Sequence, residues 1–317
     1  MSKRIIVTGG AGFIGSHLTD RLIELGHNVM VVDNLSTGNK HHVHPEADFV
    51  HLDIAAPELE RLFVRFRPDT VYHLAAQVSV ARSIEKPYLD AHSNIMGTLS
   101  VLHASKAAAA RKVIYASSAA IYGVPETAII DESHRLQPMS FYGLSKRVPE
   151  QFSALYRELF DVDFTTLRYA NVYGGRQDAH GEGGVVSIFA SRLLAGQVPI
   201  IYGDGEQTRD FVYVKDVVSA NLAAMDRASG LTMNVGSGRK TSINELLSMM
   251  CRVQGIEVQA EYRPAKAGDI RDSALDNSLA VSELGWAPAY PLERGLQETI
   301  EFYREELTAN NRSSTNR

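Results

Sequence analysis

The sequence predicts an α/β fold: a doubly wound parallel sheet followed by a smaller mixed α/β domain. Two observations lead to this prediction. Short apolar runs alternate with longer segments of helical period, and several of these segments end in glycine or a basic residue, as helices commonly do. The runs are also apolar on both faces, which is typical of strands in a parallel sheet that helices cover on both sides.

The alternation places the strands and helices in the first part of the chain. The predicted strands are 5–9, 29–33, 48–53, 70–76, 112–118 and 164–171. The predicted helices are 16–26, 57–67, 94–108 and the segment around Tyr142. We therefore expect one domain over 1–172, a second mainly over 173–308, and a return of about 212–236 to the first; the polar, aperiodic residues 309–317 are expected to form a flexible tail.

Composition excludes several classes of protein. Hydrophobic residues make up 44% and charged residues 22% of the chain, so a sizeable core can form. A net charge of -5 gives no electrostatic reason to expect nucleic acid or a membrane surface as a partner. Cys251 is the only cysteine, which rules out an internal disulfide and favours the cytoplasm. No metal site is expected, because the histidines at 41, 42 and 44 lack neighbouring carboxylate or thiolate ligands.

A glycine-rich turn joins the first strand to the first helix. Gly9, Gly12 and Gly15 form a G-x-x-G-x-x-G pattern, and Asp33 ends the next strand. This arrangement predicts a Rossmann-type dinucleotide site in which Gly9 allows the tight turn, Gly12 lets the backbone approach a pyrophosphate, and Gly15 permits close helix packing. Asp33 would bind the adenosine ribose and repel a 2′-phosphate, and residues 34–36 offer no arginine, so NAD is favoured over NADP. Asp53, at the end of the third strand, could contact the adenine or serve a turn.

A tyrosine and a lysine share one face of a later predicted helix. Tyr142 and Lys146 are four residues apart, and the strand end before them contains Ser117 and Ser118. A lysine ammonium and a nicotinamide cation would lower the pKa of the phenol, making it a usable base. Pro149 lies in the next turn, so we expect the helix to bend between residues 145 and 149.

Nine motifs extend over nearly the whole chain. They are TGGAGFIG, VVDNLSTG, HLAA (73–76), NIMGTL (94–99), SSAAIYG (117–123), YGLSK (142–146), RYANVYG (168–174), YGDGEQTRDFVYVKD (202–216) and GDIRDS (268–273). With them the chain resembles the extended short-chain dehydrogenase/reductase family, and within it the UDP-galactose (UDP-glucose) 4-epimerases. Dehydratases and UDP-glucuronate decarboxylases of this family carry an acidic residue where this chain has Ala120, so reversible oxidation at one carbon is the reaction that remains.

The resemblance implies epimerisation at C4 of a UDP-hexose through a 4-keto sugar, with NAD tightly bound. Tyr142 would act as the base, Lys146 would bond the nicotinamide ribose, and Ser118 would hold the substrate oxygen. Besides Gly9, Gly12, Gly15 and Asp33, the implied cofactor contacts are Phe13, Ile14, Asn34, Ser36, Gly38, Asp53, Ile54, Leu74, Ala75, Ala76, Asn94, Tyr142, Lys146 and Tyr169.

The resemblance also implies a nucleotide-sugar site. Asn171 would lie near the diphosphate, Arg209 would contact a phosphate, and Asp269 would lie near the uridine ribose. Lys266 stands where the family commonly has an arginine, and it keeps the charge without the bidentate fork. Ser273 occupies the position beside the sugar 2-substituent, where a serine leaves room for an N-acetyl group. UDP-N-acetylglucosamine and UDP-N-acetylgalactosamine are therefore expected substrates too.

Two other functions stay open. A UDP-glucuronate 4-epimerase, or another nucleotide-sugar-modifying relative, would need a basic partner for the sugar carboxylate, and Arg82 is the candidate. An NAD-binding regulator would use the fold without catalysis, although the presence of Ser118, Tyr142 and Lys146 argues against it. The resemblance suggests a homodimer joined through the helices near 94–108 and 142–158, whose apolar faces could equally be buried against the chain's own sheet.

Overall fold

The structure, a computed structural model, describes residues 2–179, 184–265 and 270–315, with side chains up to residue 309. The strands are β1 (Arg4–Thr8), β2 (Asn28–Asp33), β3 (Asp48–His51), β4 (Thr70–His73), β5 (Lys112–Ser118), β6 (Asp163–Tyr169), β7 (Asn171–Tyr173), β8 (Ile200–Tyr202), β9 (Thr208–Arg209), β10 (Phe211–Tyr213), β11 (Leu231–Val235), β12 (Thr241–Ser242) and β13 (Glu261–Arg263).

The helices cover both faces of the main sheet and also form a separate core beyond it. They are α1 (Phe13–Glu24), α2 (Glu58–Phe66), α3 (Val80–Glu85), α4 (Pro87–Ala91), α5 (Gly97–Ala107), α6 (Phe141–Phe160), α7 (Val185–Leu194), α8 (Val214–Ala224), α9 (Ile243–Gln254), α10 (Ser278–Leu284) and α11 (Leu292–Thr315). A π-helical turn, His92–Met96, joins α4 to α5. None of the helices in the described ranges is long and apolar enough to cross a bilayer.

Seven parallel strands form the main sheet, in the order β11-β6-β5-β4-β1-β2-β3. The doubly wound α/β class predicted from the sequence is confirmed, and each of the six predicted strands has a counterpart in this sheet. The seventh strand, β11, comes from within the segment 212–236 that was expected to return to the first domain. The predicted strand 70–76 ends earlier, at His73, because residues 74–76 turn toward the glycine-rich loop.

Alternating side chains of β1 reach the two faces of the sheet. Ile5 and Val7 belong to the core that includes Leu18 of α1 and Val217 of α8, whereas Ile6 belongs to the core formed with α2 and α5. A separate core, with Tyr173, Phe189, Leu246 and Leu296 among its members, joins α7, α9 and α11. The site described below lies at the carboxyl ends of the strands of the main sheet.

The structure differs from the sequence-based expectation at the end of the chain. Residues 309–315, expected to be a flexible tail, continue α11 as a helix through Thr315. The chain has no glycine or proline after Gly295, so nothing in the sequence stops a helix whose earlier turns are anchored by Leu296, Ile300 and Tyr303 in the core.

Helix α6 continues through Pro149 to Phe160. Proline cannot donate a hydrogen bond to Ser145, which costs about 3 kcal/mol in an isolated helix. Pro149 is buried, and its carbonyl accepts a hydrogen bond from the Ser153 hydroxyl at 3.0 Å. Proline therefore does not end the helix, and the bend between Ser145 and Pro149 stays a prediction.

Candidate active site

The candidate site lies at the carboxyl ends of the parallel strands. Gly9, Asp33, Leu74, Ser118 and Tyr169 each end a strand of the sheet or directly follow one. Ser118 and Tyr169 are also partners in the register of β5 and β6. Ligands of open α/β sheets bind in this crevice. The fold thus brings cofactor and catalytic candidates from distant parts of the sequence to one edge.

The three glycines of the first turn differ in their surroundings. Gly9 has a φ of +72°, and a Cβ there would lie 2.6 Å from the Ala75 nitrogen. A Cβ on Gly15 would lie 2.2 Å from the Gly9 oxygen, so glycine is required where α1 packs against its own turn. A Cβ on Gly12 would meet only that oxygen, at 3.2 Å, which fits the predicted closeness of Gly12 to a ligand rather than to the protein.

The N-terminus of α1 fits a pyrophosphate. No side chain among the described residues caps this helix, so the first-turn amides, including those of Phe13 and Ile14, remain available to an anion. The carboxylate of Asp33 is fixed nearby: one oxygen accepts from the Ala11 amide at 3.0 Å and the other from the Leu35 amide at 2.8 Å. These features fit a dinucleotide, with the pyrophosphate at α1 and the adenosine ribose at Asp33.

The neighbouring cofactor candidates support this arrangement. Gly38 is close to Asp33, since a Cβ there would lie 2.8 Å from Asp33 Oδ1. Asn34 accepts a hydrogen bond from the Ser36 amide at 3.0 Å and donates one to Asp53 at 2.7 Å. Asp53 also accepts from the Ala55 amide at 2.8 Å, so it has a turn role, and its contact with adenine stays a prediction.

The segment Leu74–Ala76 packs against the glycine-rich turn. The Leu74 amide donates to the Thr8 carbonyl at 3.1 Å. Ile54 packs against Gly97, where a Cβ would lie 2.6 Å from its Cδ1. Asn94, in the π-helical turn, donates to the Ser145 hydroxyl of α6 at 2.9 Å. A π-turn is frequent at functional sites, and here it ties the cofactor half of the crevice to the helix of Tyr142.

The first turn of α6 presents Tyr142 to Ser118. Ser140 caps the helix by accepting from the Gly143 amide at 3.0 Å. The Ser118 hydroxyl lies beside the Tyr142 phenol and lowers its pKa. A Cβ on Gly143 would lie 2.5 Å from the Ala120 oxygen, so Ala120 lies directly beside this turn. The position where related enzymes carry an acid is therefore next to the candidate base.

Lys146 is buried with its ammonium group pointing back to the sheet. Its Nζ donates to the Ala116 carbonyl at 2.7 Å and lies 5.0 Å from the centre of the Tyr115 ring. An ammonium group has three hydrogens, so it can form further hydrogen bonds. Burial lowers the pKa of Lys146 to about 8, against the opposing charges of Asp90 and Glu150.

The protein groups around Tyr142 shift the pKa of its phenol in opposing directions. Burial raises this pKa, the nearby Ser118 hydroxyl lowers it by less, and the charge of Asp90 raises it further. The protein groups alone therefore do not bring the phenol toward neutral pH. Burial is the cause that the sequence does not reveal, and a positive charge supplied by a bound cofactor has to overcome it.

Three of the predicted substrate residues lie on adjoining backbone segments. The Asn171 amide donates to the Asp210 carbonyl at 2.9 Å, Arg209 precedes Asp210, and Ser273 follows Asp272, which pairs with Thr208. Lys266 and Asp269 lie outside the described residues. Asn171 lines a small cavity of about 20 Å³. The hydroxyl of Tyr169 donates to Asn221 at 2.9 Å, so a cofactor contact would use its ring or backbone.

The sequence reasoning missed buried carboxylates around the site, among them Asp210 and Glu150. Asp210 accepts from the Ser237 amide at 2.7 Å, the Gly238 amide at 3.1 Å and the Leu275 amide at 3.1 Å, and so fixes the walls of the substrate region. Glu150 accepts from Ser117 at 2.6 Å and forms a bidentate pair with Arg168. The spacing of Lys146 and Glu150, one helical turn apart, was the available signal for Glu150. No signal in the sequence indicated the role of Asp210.

Comparison with known proteins identifies the family. The model of the NAD dependent epimerase/dehydratase family matches residues 5–236. The chain belongs to this family. It is 43% identical over 301 residues to a putative UDP-glucose 4-epimerase of Methanocaldococcus jannaschii, an alignment that covers 95% of this chain and 98% of the relative. The similarity thus extends along nearly the full length of both chains.

Solved structures agree with this relationship. UDP-glucose 4-epimerase of Thermotoga maritima with UDP-glucose superimposes with a TM-score of 0.94 at 44% identity, covering 96% of this chain and 99% of that one. UDP-N-acetylglucosamine 4-epimerase of Methanobrevibacter ruminantium M1, in complex with UDP-N-acetylmuramic acid, gives a TM-score of 0.92 at 34% identity, with coverage of 96% and 99%. The predicted family, epimerase type of activity and NAD dependence are confirmed.

Proposed function

We propose that this chain interconverts UDP-glucose and UDP-galactose by NAD-dependent epimerisation at C4, through a transient 4-keto sugar. The observation that carries the proposal is the placement of the Ser118 hydroxyl beside the Tyr142 phenol, one helical turn from the buried Lys146 ammonium. All three lie at the edge of the sheet where the glycine-rich turn and Asp33 fit a dinucleotide. The resulting reaction serves the use of galactose.

Tyr142, Ser118 and Lys146 have different roles in the proposed reaction. When bound, NAD supplies the hydride acceptor and donor at C4 and a positive charge beside the phenol. Tyr142 takes the proton of the 4-hydroxyl as the C4–H bond breaks and the carbonyl forms, and Ser118 holds the same oxygen. After the keto sugar has turned so that its other face is toward the cofactor, Tyr142 returns the proton to O4. We assign the remaining ammonium hydrogens of Lys146 to the nicotinamide ribose. Ala120 provides no acid for elimination.

The test is turnover of three sugars without added NAD. The purified protein is incubated separately with UDP-glucose, UDP-N-acetylglucosamine and UDP-glucuronate, and the anomeric protons are followed by NMR. Appearance of the C4 epimer supports epimerisation with retained cofactor. Turnover of UDP-glucuronate alone would favour the runner-up, in which the exposed Arg82 binds the carboxylate. No turnover of any sugar, even after NAD is added, would favour an NAD-binding regulator.

Ser273 is proposed to admit the N-acetyl group. It is partly buried in the segment that runs beside Arg209 and Asp210. Replacing Ser273 with tyrosine is expected to abolish turnover of UDP-N-acetylglucosamine while UDP-glucose is still converted, because the ring fills the space of the 2-substituent. The ratio of kcat/KM for the two sugars measures the effect. Equal loss of both activities would contradict this role.

We also propose a homodimer formed through α4, α5 and α6. The support is an apolar surface that the chain's own sheet leaves uncovered: Tyr88 is 91% exposed, and Met96, Leu144, Leu155 and Leu159 are also exposed. The three leucines share one face of α6. The second copy would cover this surface, and the cytoplasm would be the location, in keeping with a single cysteine that is buried as a free thiol.

Leu155→Glu is expected to convert the dimer to a monomer, because it places a charge in the centre of the apolar surface. Size-exclusion chromatography with light scattering would give twice the chain mass of 34.8 kDa for the unmodified protein and the single chain mass for the variant. Leu307→Glu, at an exposed leucine on α11, is the matched control and should stay dimeric. A monomeric unmodified protein would contradict the proposal.

A further inference from the structure

Asp90 is a buried carboxylate beside the catalytic helix that the reaction described above does not use. It is 1% exposed. Its Oδ1 accepts hydrogen bonds from Gln77 Nε2 at 2.7 Å and Asn94 Nδ2 at 3.2 Å. Its Oδ2 has no hydrogen-bond partner among the described residues. Burying an ionised carboxylate is costly unless a positive charge compensates it, so the position of Asp90 requires an explanation.

The hydrogen-bond network of Asp90 leads to the catalytic helix. Asn94, which donates to Asp90, also donates to the Ser145 hydroxyl at 2.9 Å, and Ser145 is adjacent to Lys146. Helix α4, which carries Asp90, packs against α6. No direct ion pair joins Asp90 to Lys146 within the described part of the chain. The two groups therefore act on each other through buried, low-dielectric protein and not through a direct contact.

The other titratable groups around Lys146 are neutral or already compensated. Burial lowers the pKa of His73, on β4, to about 3, so it is uncharged. Burial raises the pKa of Tyr115, on β5, so it is uncharged as well. Glu150, on α6, is compensated by its pair with Arg168 at 2.7 Å. Asp90 is left as a carboxylate without an ion-pair partner in the described ranges, and of the two carboxylates it has the larger effect on the pKa of Lys146.

We propose that Asp90 is a positioning residue of the epimerase reaction: its buried carboxylate keeps Lys146 an ammonium ion and thereby sets the pH range in which Tyr142 and Lys146 work together. This proposal rests on the proposed function. The same negative charge favours the protonated state of both partners, because it raises the pKa of the phenol as well as that of the ammonium.

The test is the pH dependence of kcat/KM in neutral variants of Asp90. Asp90→Asn keeps an acceptor for Gln77, and Asp90→Ser is a smaller second variant in case the first does not fold. In the pH profile of kcat/KM, the pKa of Tyr142 defines the acid limb and the pKa of Lys146 defines the alkaline limb. Removing the negative charge of Asp90 lowers both pKa values. Both limbs are expected to move to lower pH by about one unit. Asp90→Glu, which keeps the charge, should restore the original position.

Two controls separate electrostatics from structure. Ser145→Ala breaks the link from Asn94 to α6 but keeps the charge of Asp90, and it should leave both limbs in place. Asp216→Asn makes the same change at a buried carboxylate on α8 that binds the amides of Ala289 and Tyr290. It should also leave the limbs in place. Unshifted limbs in both neutral Asp90 variants would overturn the role of Asp90. An inactive unmodified enzyme would overturn the proposed function instead.

Discussion

Tyr142→Phe is expected to lower kcat by about 10²–10⁴-fold, the usual contribution of a positioned general acid-base group. The variant loses the oxygen that accepts the proton of the sugar 4-hydroxyl and keeps the ring that fills the first turn of α6. Binding of the nucleotide sugar should change little, because Asn171 and Arg209 lie on other segments. Steady-state kinetics with UDP-galactose, together with calorimetric binding of UDP, would measure both quantities.

The matched control is Tyr213→Phe. The Tyr213 hydroxyl donates to Glu298 of α11 at 3.0 Å, away from Ser118. This variant loses one phenolic hydroxyl in the same way and should keep kcat close to that of the unmodified enzyme. If Tyr142→Phe retained normal turnover, the base would have to be another residue, and the proposed role of the Ser118–Tyr142 contact would be wrong.

The features that the sequence predicted are those set by local residues. The apolar runs located β1 to β6, since a buried parallel strand needs side chains that suit both faces. The spacing of Gly9, Gly12 and Gly15 located the turn at α1, because the constraints there act within a few residues. The pair of Tyr142 and Lys146 was found from the helical repeat alone.

The features that the sequence did not predict depend on distant parts of the chain. Asp210 binds amides from residues 237, 238 and 275, and no periodicity links these positions. Burial raises the pKa of Tyr142, and burial is a property of the packed helix and not of the YGLSK motif. The lowering of this pKa by a bound nicotinamide cation stays a prediction. The effect of Asp90 on Lys146 depends on neighbouring groups that are neutral or paired, and the sequence does not show which groups these are.

Glu150→Gln is expected to destabilise the protein by about 3–5 kcal/mol, because removing one partner of a buried ion pair leaves the other charge uncompensated. Arg168 contacts Glu150 through two nitrogens, at 3.0 and 2.7 Å, and both side chains are almost fully buried. Ser117 donates to the same carboxylate at 2.6 Å. The substitution therefore weakens the attachment of α6 to β5 and β6, one helical turn after Lys146.

Glu24→Gln provides the matched control for the loss of a charged partner. Glu24 accepts from Arg21 at 2.8 Å, a similar distance, but the two side chains are 59% and 51% exposed. Exposed pairs contribute only about 0–1 kcal/mol because water and salt screen them. Thermal unfolding at equal protein concentration should show a large loss for Glu150→Gln and almost none for Glu24→Gln. Equal, small losses would mean that α6 is held by its apolar contacts, and that Glu150 and Arg168 are not needed to fix Lys146 in the site.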